Sequence, residues 1–265
     1  MADVFVVGSI NQDFVLSVER RPEPGETVTD ARLATHNGGK GANQAAAAAL
    51  LDASVAFLGR VGDDGFGGPL VRSLADKGVD TSFVREVPGS STGMAFITVT
   101  PDGENAITVA PGANRRLTAE DADSASEAIA DARVLVAQME IPPEVVLRAV
   151  EVAAASGTRA LVNLAPPLEV PRAILGKLDP LVLNEHEAAF LVGNRVEGVD
   201  GALSAAPELM SLGPKSVVVT VGEAGAVFAN GESAGHLAAP RVEVRDTTGA
   251  GDAFVGALAA RLAGD

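Results

Sequence analysis

From Thr118 onward the chain alternates short apolar runs with helical patterns, and this alternation restricts the fold more than any other feature. Val134-Leu135-Val136-Ala137, Ala160-Leu161-Val162-Asn163, Leu181-Val182-Leu183 and Ser216-Val217-Val218-Val219-Thr220 read as strands. Residues 118–130, opened by Thr118-Ala119-Glu120-Asp121, and residues 143–156 read as helices. Apolar runs without polar alternation belong to strands buried on both faces, and parallel neighbours need a crossover, usually a helix. The expected fold is therefore α/β, a parallel sheet with helices on both faces. The N-terminal part follows suit, with Val4-Phe5-Val6-Val7-Gly8 and Ser54-Val55-Ala56-Phe57-Leu58-Gly59 as strands. Residues 45–51 and 70–77 read as helices, the second stopping at Gly78. Residues 193–201 read as the most loop-like part of the body, and Val242-Glu243-Val244 as strand-like.

One stretch interrupts the alternation. Residues 95–100 and 106–109 flank Pro101-Asp102-Gly103 and read as a hairpin. It pairs naturally with the strand region around Phe14-Val15-Leu16-Ser17-Val18 to form a small sheet apart from the body.

Composition removes several function classes. A formal charge of −15, no Trp or Tyr and nine Phe argue against a nucleic-acid surface, which needs basic stripes and stacking platforms. No apolar run is long enough to span a bilayer, and Met1-Ala2-Asp3 lacks a basic leader, so a cytoplasmic chain is expected. Without cysteine there is no disulfide or thiolate site, and His36, His186 and His236 have no ligand spacing.

The chemistry concentrates in three places. Asp246-Thr247-Thr248-Gly249-Ala250-Gly251-Asp252 leads into an Ala/Leu-rich helical segment, 253–262. A glycine-rich helix start offers unpaired amides and the positive end of the dipole to an anion. An aspartate inside that turn suggests proton abstraction beside a bound phosphate, as a kinase acting on an alcohol requires. The same heptad also fits an ordinary helix cap whose acid favours the dipole. Near the N-terminus, Gly8-Ser9-Ile10-Asn11-Gln12-Asp13 lacks the G-x-G-x-x-G of a dinucleotide fold. Asn11 and Asp13 alternate onto one side of an extended segment, where they suit a polyhydroxyl ligand or, equally, an Asx-turn. Asn37-Gly38-Gly39-Lys40-Gly41-Ala42-Asn43-Gln44 opens a helix, but without the G-x-x-x-x-G-K-[ST] order of a triphosphate loop. Lys40 and Asn43 project near its first turn.

Together, Asn11-x-Asp13, the run from Gly38 to Ala45 and Gly249-Ala250-Gly251-Asp252 resemble the ribokinase-like family of carbohydrate kinases. The lysine of the double-glycine motif is more similar to the ribokinase branch than to fructokinase or adenosine kinase. The resemblance implies phosphorylation of a pentose, D-ribose at its 5-hydroxyl, by ATP with Mg²⁺. It implies Asp252 as the base and the amides of Gly249, Ala250 and Gly251 as the oxyanion hole. It places Asn11, Asp13, Gly39, Lys40, Asn43 and Glu140 at the sugar, with Asn163 near them. Asn184-Glu185-His186-Glu187 resembles the family's Asn-x-x-Glu motif, with Glu187 holding Mg²⁺ through water; an acid-rich helix start is the alternative. Thr220, Gly222 and Gly225 resemble nucleotide contacts, although Gly222-Glu223-Ala224-Gly225 also suits a turn joining two strands. Asp246 and Thr248 match positions around a monovalent cation, K⁺. Gly62-Asp63-Asp64-Gly65-Phe66-Gly67 resembles a structural signature and is given no chemistry.

The implied division is an α/β core of 1–10, 37–92 and 111–265 with a β lid of 11–36 and 93–110, the lid serving also as a homodimer contact. Relatives resembling this chain continue beyond the equivalent of Asp252. The expectation is therefore weak ATP binding, little activation by K⁺ and thinner cover for Phe254, Leu258 and Leu262, unless another segment closes the pocket. Two other outcomes stay open: a different sugar or nucleoside as acceptor, and a sugar-binding protein with little turnover.

Overall fold

The computed structural model describes residues 2–102, 104–244 and 247–264. The chain opens with β1 (Val4–Val7), whose four side chains are fully buried. It passes into β2 (Asn11–Ser17) and β3 (Arg32–Gly38), then α1 (Lys40–Ala49), β4 (Val55–Gly62), α2 (Gly67–Ala75) and β5 (Val79–Val87). The hairpin β6 (Gly93–Val99) and β7 (Asn105–Ala110) follows, then a 3₁₀ turn over Gly112–Arg116. The alternation then continues through α3 (Ala119–Ser124), α4 (Ser126–Asp131), β8 (Val134–Gln138), α5 (Pro143–Ser156), β9 (Arg159–Asn163), α6 (Arg172–Leu175) and β10 (Leu178–Asn184). Last come α7 (Glu185–Val192), α8 (Gly198–Ser211), β11 (Ser216–Thr220), β12 (Ala226–Asn230), β13 (Ala234–Leu237) and α9 (Ala250–Gly264).

Nine strands form one sheet in the order β13-β12-β11-β10-β9-β8-β1-β4-β5. From β11 across to β5 every pairing is parallel, whereas β12 and β13 return antiparallel at one edge. Because β1 lies inside the sheet and is covered on both faces, Phe5 and Val7 enter one apolar layer while Val4 and Val6 enter the other. The first layer is completed by α3, α4, α5, α6, α7 and α8, the second by α1, α2 and α9. The parallel, doubly covered sheet expected from the alternation is the structure observed. In α9, Phe254, Leu258 and Leu262 are half-buried against the second layer, while Val255, Ala259 and Ala263 are fully inside it.

The small sheet is also as expected, in the order β3-β2-β6-β7. Within it β2 is antiparallel to β3 but parallel to β6. Phe14 stacks on Phe96 within this sheet and meets Phe66 of the body edge-on at 5.6 Å between ring centroids. The 62–67 motif thereby seats the small sheet. Asp64 also accepts hydrogen bonds from Thr92 N (2.7 Å) and Thr92 Oγ1 (2.6 Å), just before β6.

Three local expectations fail for identifiable reasons, and one edge strand had no expectation at all. The single helix over 118–130 is broken at Ala125, although Ala122, Ala125 and Ile129 keep the spacing of one helical face and all enter the core. Residues 193–201 are loop only as far as Glu197, because α8 starts at Gly198; its glycines and Pro207 dilute the helical signal that buried Ala202, Ala205 and Leu209 carry. Val242-Glu243-Val244 is not a strand: Val242 and Val244 are exposed, and Pro240, which has no N–H, precedes them. Finally, β5 was not anticipated, since an edge strand reading Val-Asp-Thr-Ser-Phe-Val-Arg-Glu-Val shows little continuous apolar character.

The layer of α1 and α9 is tight. A Cβ on Gly256 would lie 2.5 Å from the Gln44 carbonyl oxygen and 2.6 Å from Ala47 Cβ. Helix propensity alone favours Ala over Gly by about 1 kcal/mol. Here Gly256→Ala should instead destabilise the protein by about 1–3 kcal/mol, because backbone must move to admit the methyl. Denaturant melts of the two forms check the sign.

Candidate active site

Residues after the carboxyl ends of β1 and β8 meet the start of α1. Gly39 has φ 92°, a conformation L side chains rarely adopt, and a Cβ there would strike Ser9 O at 2.7 Å and Asn11 N at 2.8 Å. This close seating lets Ala42 N donate to Ser9 O (3.0 Å). Glu140, two residues past β8, accepts from Ser9 Oγ (2.6 Å) and from Lys40 N (3.1 Å). An acid at the first turn of α1 is favoured by the unpaired amides and the dipole.

Asn11 and Asp13 project from one face of β2. The Asn11 Oδ1 accepts from Asn114 Nδ2 (2.8 Å), and Asn114 also takes Ile10 N (3.0 Å) and gives to Ile10 O (3.1 Å). Gly93 presses on this pair, for a Cβ there would be 2.2 Å from both Asn11 Oδ1 and Asn114 Nδ2. The Asp13 carboxylate occupies the space a Gly38 side chain would take, and its Oδ1 is buried without a hydrogen-bond partner. Burial, reinforced by Glu140 and Asp252 and opposed by His36, pushes the Asp13 carboxyl up to about 6.

Asp252 lies in the first turn of α9 and is buried, although Gly251 and Ala253 on either side are exposed. Its Oδ2 accepts from Asn43 Nδ2 (3.0 Å) and its Oδ1 from Gln44 Nε2 (2.9 Å). Residues 208 apart in the chain are thus joined. Gly249, φ 73°, makes the turn that precedes α9. The Ala250 N–H turns back to Thr247 O at 3.1 Å, so an anion there must share or displace that bond.

A cleft of about 230 Å³ opens between this turn and the ends of β10 and β11. Gly249, Ala250, Gly251 and Asp252 line one side, with Asn163, Asn184, Glu187 and Thr220 opposite. Lys40 is the one cationic side chain among the described lining residues. Asn184 caps α7: its Oδ1 accepts from Glu187 N (2.8 Å), while Glu187 Oε2 accepts from Asn184 N (2.7 Å) and Oε1 from Asn184 Nδ2 (3.0 Å). The acid-rich helix start is therefore a capping box as well as a cleft wall. Burial raises the Glu187 carboxyl above its ordinary range, against the Asn184 backbone bond and the Lys40 charge.

Other expected residues lie elsewhere. Gly222 and Gly225 occupy the turn joining β11 to β12, outside the cleft lining. Gly225 is accounted for by packing, since a Cβ would lie 2.0 Å from Leu237 O. Thr248 is exposed beside the α9 turn, and Asp246 lies outside the described residues. Among the described residues no group of three or more His, Asp or Glu side chains could hold a metal, and no helix is long and apolar enough to cross a membrane. Sequence reasoning passed over Ser9, Gln44, Asn114 and Gln138. Polar residues inside otherwise apolar or small-residue runs were the available signal.

A profile described as pfkB family carbohydrate kinase matches residues 1–264. Ribokinase of Staphylococcus aureus (strain COL) is 40% identical over 261 residues, which are 98% of this chain and 86% of that protein. Deoxyribokinase of Salmonella typhi is 38% identical over 258 residues, 97% of this chain and 84% of that protein. The structure of Arabidopsis thaliana ribokinase complexed with ribose and ATP superposes with a TM-score of 0.90 at 32% identity, covering 99% of this chain and 86% of that one.

The Asp13 environment has a measurable consequence. Its carboxyl titrates near 3.8 when unfolded and about 6 when folded, so the folded state resists ionisation. The resulting penalty is absent below the unfolded value, grows as pH rises between the two, and is complete above the folded one. Asp13→Asn should therefore melt higher than the parent at about pH 8 and level with it at about pH 4. Thermal melts across that range, without ligand, test this. A difference independent of pH would show that Asp13 is not held this way.

Proposed function

Because the chain belongs to the pfkB family of carbohydrate kinases, we propose that it transfers the γ-phosphoryl group of ATP to the 5-hydroxyl of D-ribose, giving ribose 5-phosphate and ADP. The observation that carries this reading is the meeting, around one buried carboxylate, of a polar pocket and a glycine-lined helix start. Asp252 accepts the hydroxyl proton as the oxygen attacks phosphorus. The amides of Gly249, Ala250 and Gly251 stabilise charge on the transferring group, and the α9 dipole adds to them. Asn11, Asp13, Gly39, Lys40, Asn43 and Glu140 hold the sugar. The unpartnered Asp13 Oδ1 supports this role, since a sugar hydroxyl would satisfy it.

Asn184, Thr220, Gly222 and Gly225 are assigned to the nucleotide. Mg²⁺ carried by ATP supplies charge neutralisation at the phosphates. Both Glu187 oxygens already accept bonds from Asn184, so Glu187 suits the water shell of such an ion better than direct ligation. The proposal extends to K⁺ near Asp246 and Thr248, supported by their place just before the anion turn. The lid is taken as 11–36 and 93–110 over a core of 1–10, 37–92 and 111–265, closing to exclude water as a competing acceptor. Exposed Leu33, Phe96 and Ile107 on the small sheet support its use as a homodimer contact, in a cytoplasmic enzyme.

A second acceptor is favoured by one comparison, the 38% identity to a deoxyribokinase. ADP release with ribose, deoxyribose, fructose and adenosine separates these readings, and ribose should be preferred. Sugar binding without ADP release would make the protein a binder instead. Asp252→Asn keeps shape and removes the proton acceptor. Its kcat should fall on the order of 10²–10⁴-fold, the usual range for loss of a general base, with ribose affinity within a few-fold. A kcat near that of the parent would sink the assignment.

A further inference from the structure

Gln44 and Gln138 are fully buried and do not line the cleft, yet they lie in a chain of amides that ends on Asp252. Gln44 Nε2 donates both to Asp252 Oδ1 (2.9 Å) and to Asn163 Oδ1 (3.1 Å), using the two hydrogens it has. Gln44 Oε1 accepts from Gln138 Nε2 (2.7 Å). Asn163 Nδ2 in turn donates to Val182 O (3.3 Å), which keeps the Asn163 oxygen toward Gln44.

The direction of the Gln44 amide is therefore set from both ends. Flipping it would put its oxygen against a carboxylate and a second carbonyl while Gln138 faced it donor to donor. Holding this arrangement has a cost, because Gln138 Oε1 is buried without a partner. Space for that oxygen comes from Gly8, where a Cβ would lie 2.3 Å away. Apolar side chains of similar volume would fill the same space without an unsatisfied atom, so packing does not explain the network.

We infer that Gln44, oriented by Gln138 and Asn163, is the positioning residue for the Asp252 carboxylate. Neighbouring residues of α1 divide the task. Asn43 holds Oδ2 and is also assigned to the sugar, whereas Gln44 holds Oδ1 and ties it to the Asn163 oxygen. With the carboxylate plane fixed, Oδ2 presents its remaining lone pair to the acceptor hydroxyl. This rests on the reading of Asp252 as the base.

The test is a kcat-against-binding split in Gln44→Met, Gln138→Met and Asp252→Asn, alone and combined. Gln44→Met should lower kcat by about 10–100-fold, a fraction of the loss of the base itself. Ribose affinity by calorimetry should stay within about three-fold, and in the Asp252→Asn background the same change should cost less than about two-fold, because both act through one group. Gln138→Met takes away the donor that holds Gln44 Oε1 and exchanges one orphaned buried oxygen for another, so it should also lower kcat while changing the melting temperature little. If Gln44→Met does not fold, Gln138→Met decides alone, and an unchanged kcat there overturns the inference. Parent-like kcat in Gln44→Met, equal losses of kcat and affinity, or a full further loss in the Asp252→Asn background would each overturn it. Parent-like kcat in Asp252→Asn itself would instead overturn the base assignment on which it stands.

Discussion

The crossing of α1 over α9 is the contact on which the site depends. At Gly256 the two helices approach until one side chain's methyl group would meet backbone. That proximity brings Asn43 and Gln44 within hydrogen-bond reach of Asp252. A site assembled this way is closed by two amides, and the rotamer freedom that Gln44 gives up is offset by the hydrogen bonds it makes. It also means that the sugar side and the phosphate side of the cleft are set by one packing distance. Geometry and stability are coupled there more closely than in the rest of the sheet.

The sheet supplies the second constraint. Parallel strands deliver their carboxyl ends to one edge, so Ser9, Glu140, Asn163, Asn184 and Thr220 arrive together from five different strands or the residues that follow them. Each is held by a local device: Glu140 by the α1 amide of Lys40 and the Ser9 hydroxyl, Asn184 by its capping box, Asn163 by Val182 O. The small sheet attaches at the same edge, beginning with β2 only three residues after β1 and seated through Phe14 on Phe66.

Much of this was legible because periodicity and turn chemistry are local. The buried strands, the hairpin, the glycines before α1 and the acid at Asp252 all announce themselves within a few residues. The tertiary links do not. Gln44 sits among alanines and looks like a solvent-facing helix residue until α9 is laid across it. Asn114 lies in a short 3₁₀ turn, and only the fold shows it gripping Ile10 and Asn11. Gly222 and Gly225 looked alike as glycines at a strand end, but Gly225 answers to the carbonyl of Leu237. The edge strand β5 and the glycine-bearing α8 were hidden for the opposite reason: their local signals are weak, and burial against neighbours decides them.

The sparse cationic lining of the cleft has a kinetic side. With a formal charge of −15 over the molecule and Lys40 the one cation among the described lining residues, the far field repels an anionic nucleotide while the near field attracts it. Attraction comes from Lys40 and from the fixed dipole at the start of α9, which fades within a turn, whereas repulsion reaches about a Debye length, roughly 8 Å at physiological salt. Added salt would therefore ease the approach of ATP more than it loosens the bound phosphates. The encounter rate should rise with ionic strength, opposite to the behaviour of a lysine-rich phosphate funnel.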